Sequence, residues 1–148
     1  MGRPRARATT LTSLPSAHPL SWSPLASGVL TGKYSGGAAP PGARLTMDKW
    51  KSMLGGKLLA PDVVAAADAV KPIAAELGAT PAQVSIAWCA LNPNVSTVIL
   101  GATSSAQLAD NLGAVGVLAK LREKLDVVAR LEAVFGGAPP GERRWRAA

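Results

Sequence analysis

A chain of 148 residues with 48% hydrophobic and 17% charged residues has the size and composition of one ordinary domain, and too much apolar content to stay disordered throughout. Its net charge is +7, yet the early basic residues alternate with Ala and Pro and form no helical stripe with aromatics interleaved, which argues against nucleic-acid binding. A lone Cys89 excludes an internal disulfide framework and suits a reducing compartment, and no apolar run approaches the ~20 residues of a membrane span or makes a signal-peptide core.

Residues 1–18 read as a disordered basic tail. Rich in Arg, Ser and Thr and free of acids, this leader also resembles an organelle transit peptide in composition. PLSWSPLA, 19–26, reads as a short buried strand with Pro24 at its end. A Gly/Pro loop, SGGAAPPGAR, fills 35–44. Thr46 is then placed to cap a short helix, MDKWKSML, that stops at Gly55-Gly56. Asp62 is placed to cap a longer helix whose Val63, Ala67, Val70, Ala74 and Leu77 face one way, with a kink expected near Pro72 and an end at Gly78. In ATPAQVSIAWCALNP, Thr80 takes the N-cap, Pro81 the first helical position and Gln83 the third, the spacing of a capping box. Val84, Ala87, Trp88 and Leu91 form its buried face, and Cys89 on that helix reads as a buried, inert thiol.

VSTVIL, 95–100, is β-branched and nearly uninterrupted, as a parallel strand covered on both faces would be. Gly101 ends it. Ser104 and Gln107 repeat the capping-box spacing for a helix running to about Gly113. A last helix is expected over about 121–134, with Leu121, Leu125, Val128 and Leu131 on one face, before a loose tail over 136–148. The layout is α/β with parallel strands. Two strands are too few for the helices they carry, so the chain is expected to be part of something larger.

The two strand ends hold the candidate chemistry. Ser23, Pro24, Leu25 and Ala26 follow the first, then Gly28 and Lys33; Gly101, Thr103 and Ser104 follow the second, then Gln107, Asp110 and Asn111 on a helix. Ligands of parallel α/β folds gather at such ends, small residues admit them to the backbone, and helix N-termini offer free N–H groups to an anion. Lys33 and Arg44, on a stretch without an acid, add cations for phosphates. The physical argument stops at a phosphate-bearing ligand.

WSPLASGVLTGKY, the later KPIAAELGATPAQVSIAWCALNPNVSTVILGATSSAQLADNLGA and their spacing resemble the C-terminal part of the aldo-keto reductase superfamily. Within it they are most similar to the β subunits of voltage-gated potassium channels, the plant-like ones above all, from about Trp22 to Phe135. The resemblance implies a C-terminal fragment of a (β/α)8 TIM barrel, about its last two strands plus several helices, in a partial domain at 19–135. It implies NADPH as cofactor. By position Trp22 would stack on the nicotinamide; Ser23, Pro24, Leu25 and Ala26 would line the pyrophosphate with Lys33; Arg44 would clasp the cofactor. Gly101 and Thr103 would meet the adenosine, and Gln107, Asp110 and Asn111 the ribose and adenine. Asp110 stands where glutamate is usual, and Gly42 where tyrosine is frequent.

The family's catalytic Asp, Tyr, Lys and His come from strands preceding such a segment, so no catalytic residue is assigned, and no metal ligand. His18 and Tyr34 lie outside the matching catalytic motifs. The implied function is NADPH-dependent reduction of a carbonyl substrate in the cytoplasm, with a channel α subunit and further copies of the chain as partners and no insertion into the membrane. A non-enzymatic, truncated channel β-like binding subunit and a gene fragment are the alternatives.

Overall fold

The structure, a computed structural model, describes residues 20–37 and 39–135. The readings made for the tails 1–18 and 136–148, His18 included, lie outside the described residues.

Local sequence grammar decides the central helices. Helix α3 (Pro61–Glu76) starts at Pro61, whose preset φ suits the first helical position behind Ala60 at the cap. Asp62, expected at the cap, therefore sits in the first turn, where its charge still meets the helix's positive end. The helix runs through Pro72 to Glu76. Gly78, at φ 60°, then closes it by donating its N–H to Ala75 O at 3.0 Å, while Ala79 N–H reaches Ala74 O at 2.9 Å. Helix α4 (Pro81–Leu91) has its full capping box: Gln83 N–H donates to Thr80 Oγ1 at 3.2 Å and Thr80 N–H to Gln83 Oε1 at 3.1 Å.

Elsewhere three expectations are corrected. The short helix does not stop at Gly55-Gly56. Asp48–Trp50 (α1) continues through a π turn, Lys51–Gly55, into Gly56–Leu58 (α2), with Met47 rather than Thr46 at the cap. Trp50, Leu54 and Leu58 pack on one side against Val29, Tyr34, Leu45 and Ala67, and that packing outweighs the glycines' low propensity. The last helix is two, α6 (Ala114–Glu123) and α7 (Leu125–Val134), broken at Lys124, which leaves helical geometry at φ −110°, ψ 76°. The break resets the helical phase, so Leu125 is 74% exposed while Val127, Leu131 and Phe135 point inward. Third, the strands are two residues each, β1 (Leu20–Ser21) and β2 (Thr97–Val98), not the six to eight expected. They pair in parallel with Leu20 opposite Thr97 and Ser21 opposite Val98. Thr97 is exposed and Val98 only half-buried, so β2 is not covered on both faces. A parallel ladder is lengthened by neighbours, and among the described residues this pair has two open edges.

The core lies among α3, α4, α6 and α7, where Val70, Val84, Leu121 and Leu131 are fully buried. The Trp88 and Phe135 rings close its edge at 4.6 Å between centroids, tilted by 41°. Cys89 is only half-buried; burial pushes its thiol pKa up, against a hydrogen bond from Ser21. Among the described residues no helix is long and apolar enough to cross a membrane.

Candidate ligand site at the strand ends

Because β1 and β2 are parallel neighbours, the segments that follow them leave the sheet at the same end. Ser23 comes two residues after β1 and Gly101 three after β2, and Ile99 N–H still bonds Ser21 O at 2.8 Å.

The segment after β1 is a tight, strained turn. Ser23, Ala26 and Ser27 hold φ of 55°, 47° and 57°, a left-handed region that non-glycine residues rarely enter. Internal bonds hold them there: Ala26 N–H to Ser23 O at 2.9 Å, Gly28 N–H to Leu25 O at 2.8 Å and Thr31 Oγ1 to Gly28 O at 2.7 Å. Pro24 is buried beneath the turn, and Leu25 and Ala26 are half-buried, packed against the main core and the Tyr34 cluster respectively. Trp22, by contrast, is 76% exposed, its ring open as a stacking platform.

Lys33 folds back over this turn. A Cβ on Gly28 would lie 2.6 Å from Lys33 Cε and 2.7 Å from its Nζ, so the lysine occupies the space glycine leaves. Gly28 also needs its freedom at φ 94°. Gly28→Ala should therefore lower stability by about 1–2 kcal/mol and displace the ammonium; unchanged urea unfolding would contradict that reading.

Arg44 follows in a short 3-10 turn, Arg44–Thr46. It is exposed, with its guanidinium 5.4 Å from the Trp50 ring centroid. Its neighbour Leu45 is buried and donates its N–H to the buried Tyr34 hydroxyl at 3.2 Å. Tyr34 thus ties the Lys33 segment to the Arg44 segment, a structural use consistent with keeping it out of acid–base catalysis. On the other side Ser35 bonds the Asp68 carboxylate, and Lys71 Nζ lies 2.5 Å from Ser35 Oγ and 2.8 Å from Asp68 Oδ1. Hydrogen bonds from Lys71 and then Ser35 hold the Asp68 carboxyl below the usual carboxylate range.

The segment after β2 leads into α5 (Ser105–Leu112). Ser104 Oγ accepts the Gln107 N–H at 3.2 Å, the expected cap. The return bond differs: Gln107 Oε1 takes the N–H and hydroxyl of Thr103, at 2.9 and 3.0 Å, not the Ser104 N–H. Gly101, Thr103 and Gln107 are exposed, and Asn111 is buried at 5% exposure. Asp110 is exposed, but its carboxylate meets Gln83 Nε2 at 2.9 Å and Thr80 Oγ1 at 3.4 Å.

Sequence reasoning missed Gln83 in this role, because a capping residue reads as spent on its own helix. It also missed the Ser35–Asp68–Lys71 tie, whose only local signal was an Asp and a Lys three apart on a helix. No group of His, Cys, Asp and Glu suited to a metal ion occurs among the described residues.

Comparison with known proteins adds the lineage. Residues 17–133 match the aldo/keto reductase family. A protein of Arabidopsis thaliana and one of Oryza sativa subsp. japonica, each described as a probable voltage-gated potassium channel subunit beta, are 46% and 44% identical over 126 residues. Each alignment takes in 85% of this chain and 38% of the relative. A putative voltage-gated potassium channel subunit beta of Schizosaccharomyces pombe is 43% identical over 107 residues, 70% of this chain and 30% of that protein. The chain thus spans less than two-fifths of the length of these relatives.

Proposed function

Since the chain belongs to the aldo/keto reductase family, to which residues 17–133 match, we propose that it is the NADPH-binding, C-terminal part of a carbonyl reductase of the potassium-channel β-subunit type. Residues 19–135 form the partial domain, β1 and β2 two adjoining strands of a (β/α)8 barrel, and the open strand edges the places where the rest of the barrel pairs.

The observation that carries this reading is Lys33. Its ammonium lies over Gly28 in the turn that follows β1, at the end of the sheet where the segment leading into α5 also emerges. A cation over a glycine-backed turn and a Ser104-capped helix N-terminus suit a ligand with phosphates at more than one point. A nicotinamide dinucleotide phosphate is such a ligand, and when bound it supplies a hydride for a carbonyl carbon. Lys33 and Arg44 neutralise its phosphates, Ser23, Pro24, Leu25 and Ala26 line the pyrophosphate, and Trp22 offers a face to the nicotinamide. Gly101, Thr103, Gln107 and Asn111 receive the adenosine side. Asp110 is taken up below. Tyr34 is buried with its hydroxyl engaged by the Leu45 N–H, so protonating the substrate oxygen is assigned, as the family resemblance implies, to strands that precede such a segment.

A second reading is favoured by the relatives' description as channel β subunits: binding to a channel α subunit in the cytoplasm, as several copies, without turnover. Turnover separates the two. Alone, the 148-residue chain should oxidise NADPH with 4-nitrobenzaldehyde no faster than buffer. Fused behind the leading part of the Arabidopsis thaliana relative, it should turn over. A fusion that binds NADPH and does not turn over would favour the binding-subunit reading. Turnover by the chain alone, lost in Tyr34→Phe, would overturn the assignment of Tyr34.

A further inference from the structure

Gln83 serves two helices with one amide. Its Oε1 accepts the Thr80 N–H at 3.1 Å, completing the N-terminal cap of α4. Its Nε2 donates to the Asp110 carbonyl at 2.8 Å and to Asp110 Oδ1 at 2.9 Å. That carbonyl lies in the last turn of α5, where backbone acceptors lack intrahelical partners, and Gly113 N–H shares it at 3.0 Å. One end of the amide caps the start of α4 and the other caps the close of α5.

Two further features point the same way. The other carboxylate oxygen of Asp110, Oδ2, meets the Thr80 hydroxyl at 3.4 Å, so the negative charge rests at the N-terminus of α4, where the helix dipole favours it. Gly113 makes room for the arrangement: a Cβ there would lie 2.5 Å from Gln83 Nε2 and 3.1 Å from the Asp110 carbonyl. Any larger residue at that position would drive the amide out.

We propose that Asp110 is a positioning residue, which through Gln83 fixes α5 against the N-terminus of α4 and so sets where Thr103 and Gln107 stand. This rests on the function proposed above, in which those two residues face the adenosine. Asp110 on that account does not touch the ligand. It holds the helix that does.

The test combines a spectroscopic measurement on the full chain with a binding measurement on the chain fused behind the leading part of the Arabidopsis thaliana relative. In nitrogen-15 NMR, Asp110→Ala should shift the Gln83 side-chain amide signals and speed their exchange with solvent. Asp110→Asn, which keeps an oxygen acceptor, should leave them near the wild-type values. NADPH affinity should follow the same order, with Asp110→Asn near wild type and Asp110→Ala weaker by roughly three- to tenfold. Gln83→Ala should weaken it similarly, and the double variant should be no weaker than either single one. Gln83 amide signals that ignore Asp110→Ala would overturn the proposal. So would additive losses in the double variant, or a full loss in Asp110→Asn, both signs of direct contact with the ligand. If wild type binds no NADPH while the Gln83 amide still responds to Asp110→Ala, the pairing stands and the cofactor reading falls.

Discussion

Leu121→Ala should destabilise the chain by about 2–5 kcal/mol, whereas Leu125→Ala, four residues on, should cost less than about 0.5 kcal/mol. A continuous helix would put both leucines on one face and make both changes expensive. The break at Lys124 separates them: Leu121 is fully buried on α6, in the core shared by α3, α4, α6 and α7, and Leu125 is 74% exposed at the start of α7. Truncating Leu121 leaves a cavity in that core. Urea unfolding of the two variants decides the matter. Similar losses for both would mean that α6 and α7 are a single helix and that the core is assembled differently.

In the barrel completed by the leading part of the Arabidopsis thaliana relative, Lys33→Ala should weaken NADPH binding by about 10- to 150-fold, the equivalent of one charge-assisted contact of about 1.5–3 kcal/mol. Arg44→Ala should fall in the same range, and both losses should shrink as salt rises, because exposed charges are screened. Lys71→Ala is the control. Its ammonium is already engaged by Asp68 and Ser35, so removing it should change affinity little. Fluorescence titration monitoring tryptophan would report all three, with Trp22 exposed beside the turn. Equal affinity in wild type, Lys33→Ala and Arg44→Ala would remove both lysine and arginine from the site.

What could be read from sequence was what is decided locally. The Thr80–Pro81–Gln83 cap is settled within four residues and was legible, as was the closing role of Gly78. Strand length was not, because VSTVIL carries the composition of a covered strand while its extent depends on neighbours that sequence does not display. The break at Lys124 was hidden for a different reason. KLREKLDVVARLEAV keeps helical spacing across it, with no Gly or Pro to mark the stop. At Gly55-Gly56 the reverse occurred: a stop signal was present, and tertiary packing of Leu54 and Leu58 overrode it. For the candidate site, small residues and cations at two strand ends were visible, and the parallel pairing brings those ends to one side. The partner of Asp110 was not visible, since Gln83 lies 27 residues away and already had a use.

Hydrogen–deuterium exchange of the chain fused behind the leading part of the Arabidopsis thaliana relative, with and without saturating NADPH, tests most directly whether the two strand ends make one cofactor site. The account predicts that added NADPH protects residues 23–28, after β1, and residues 103–108, at the start of α5, together and at the same ligand concentration. Protection of one segment without the other, or of neither, would contradict it.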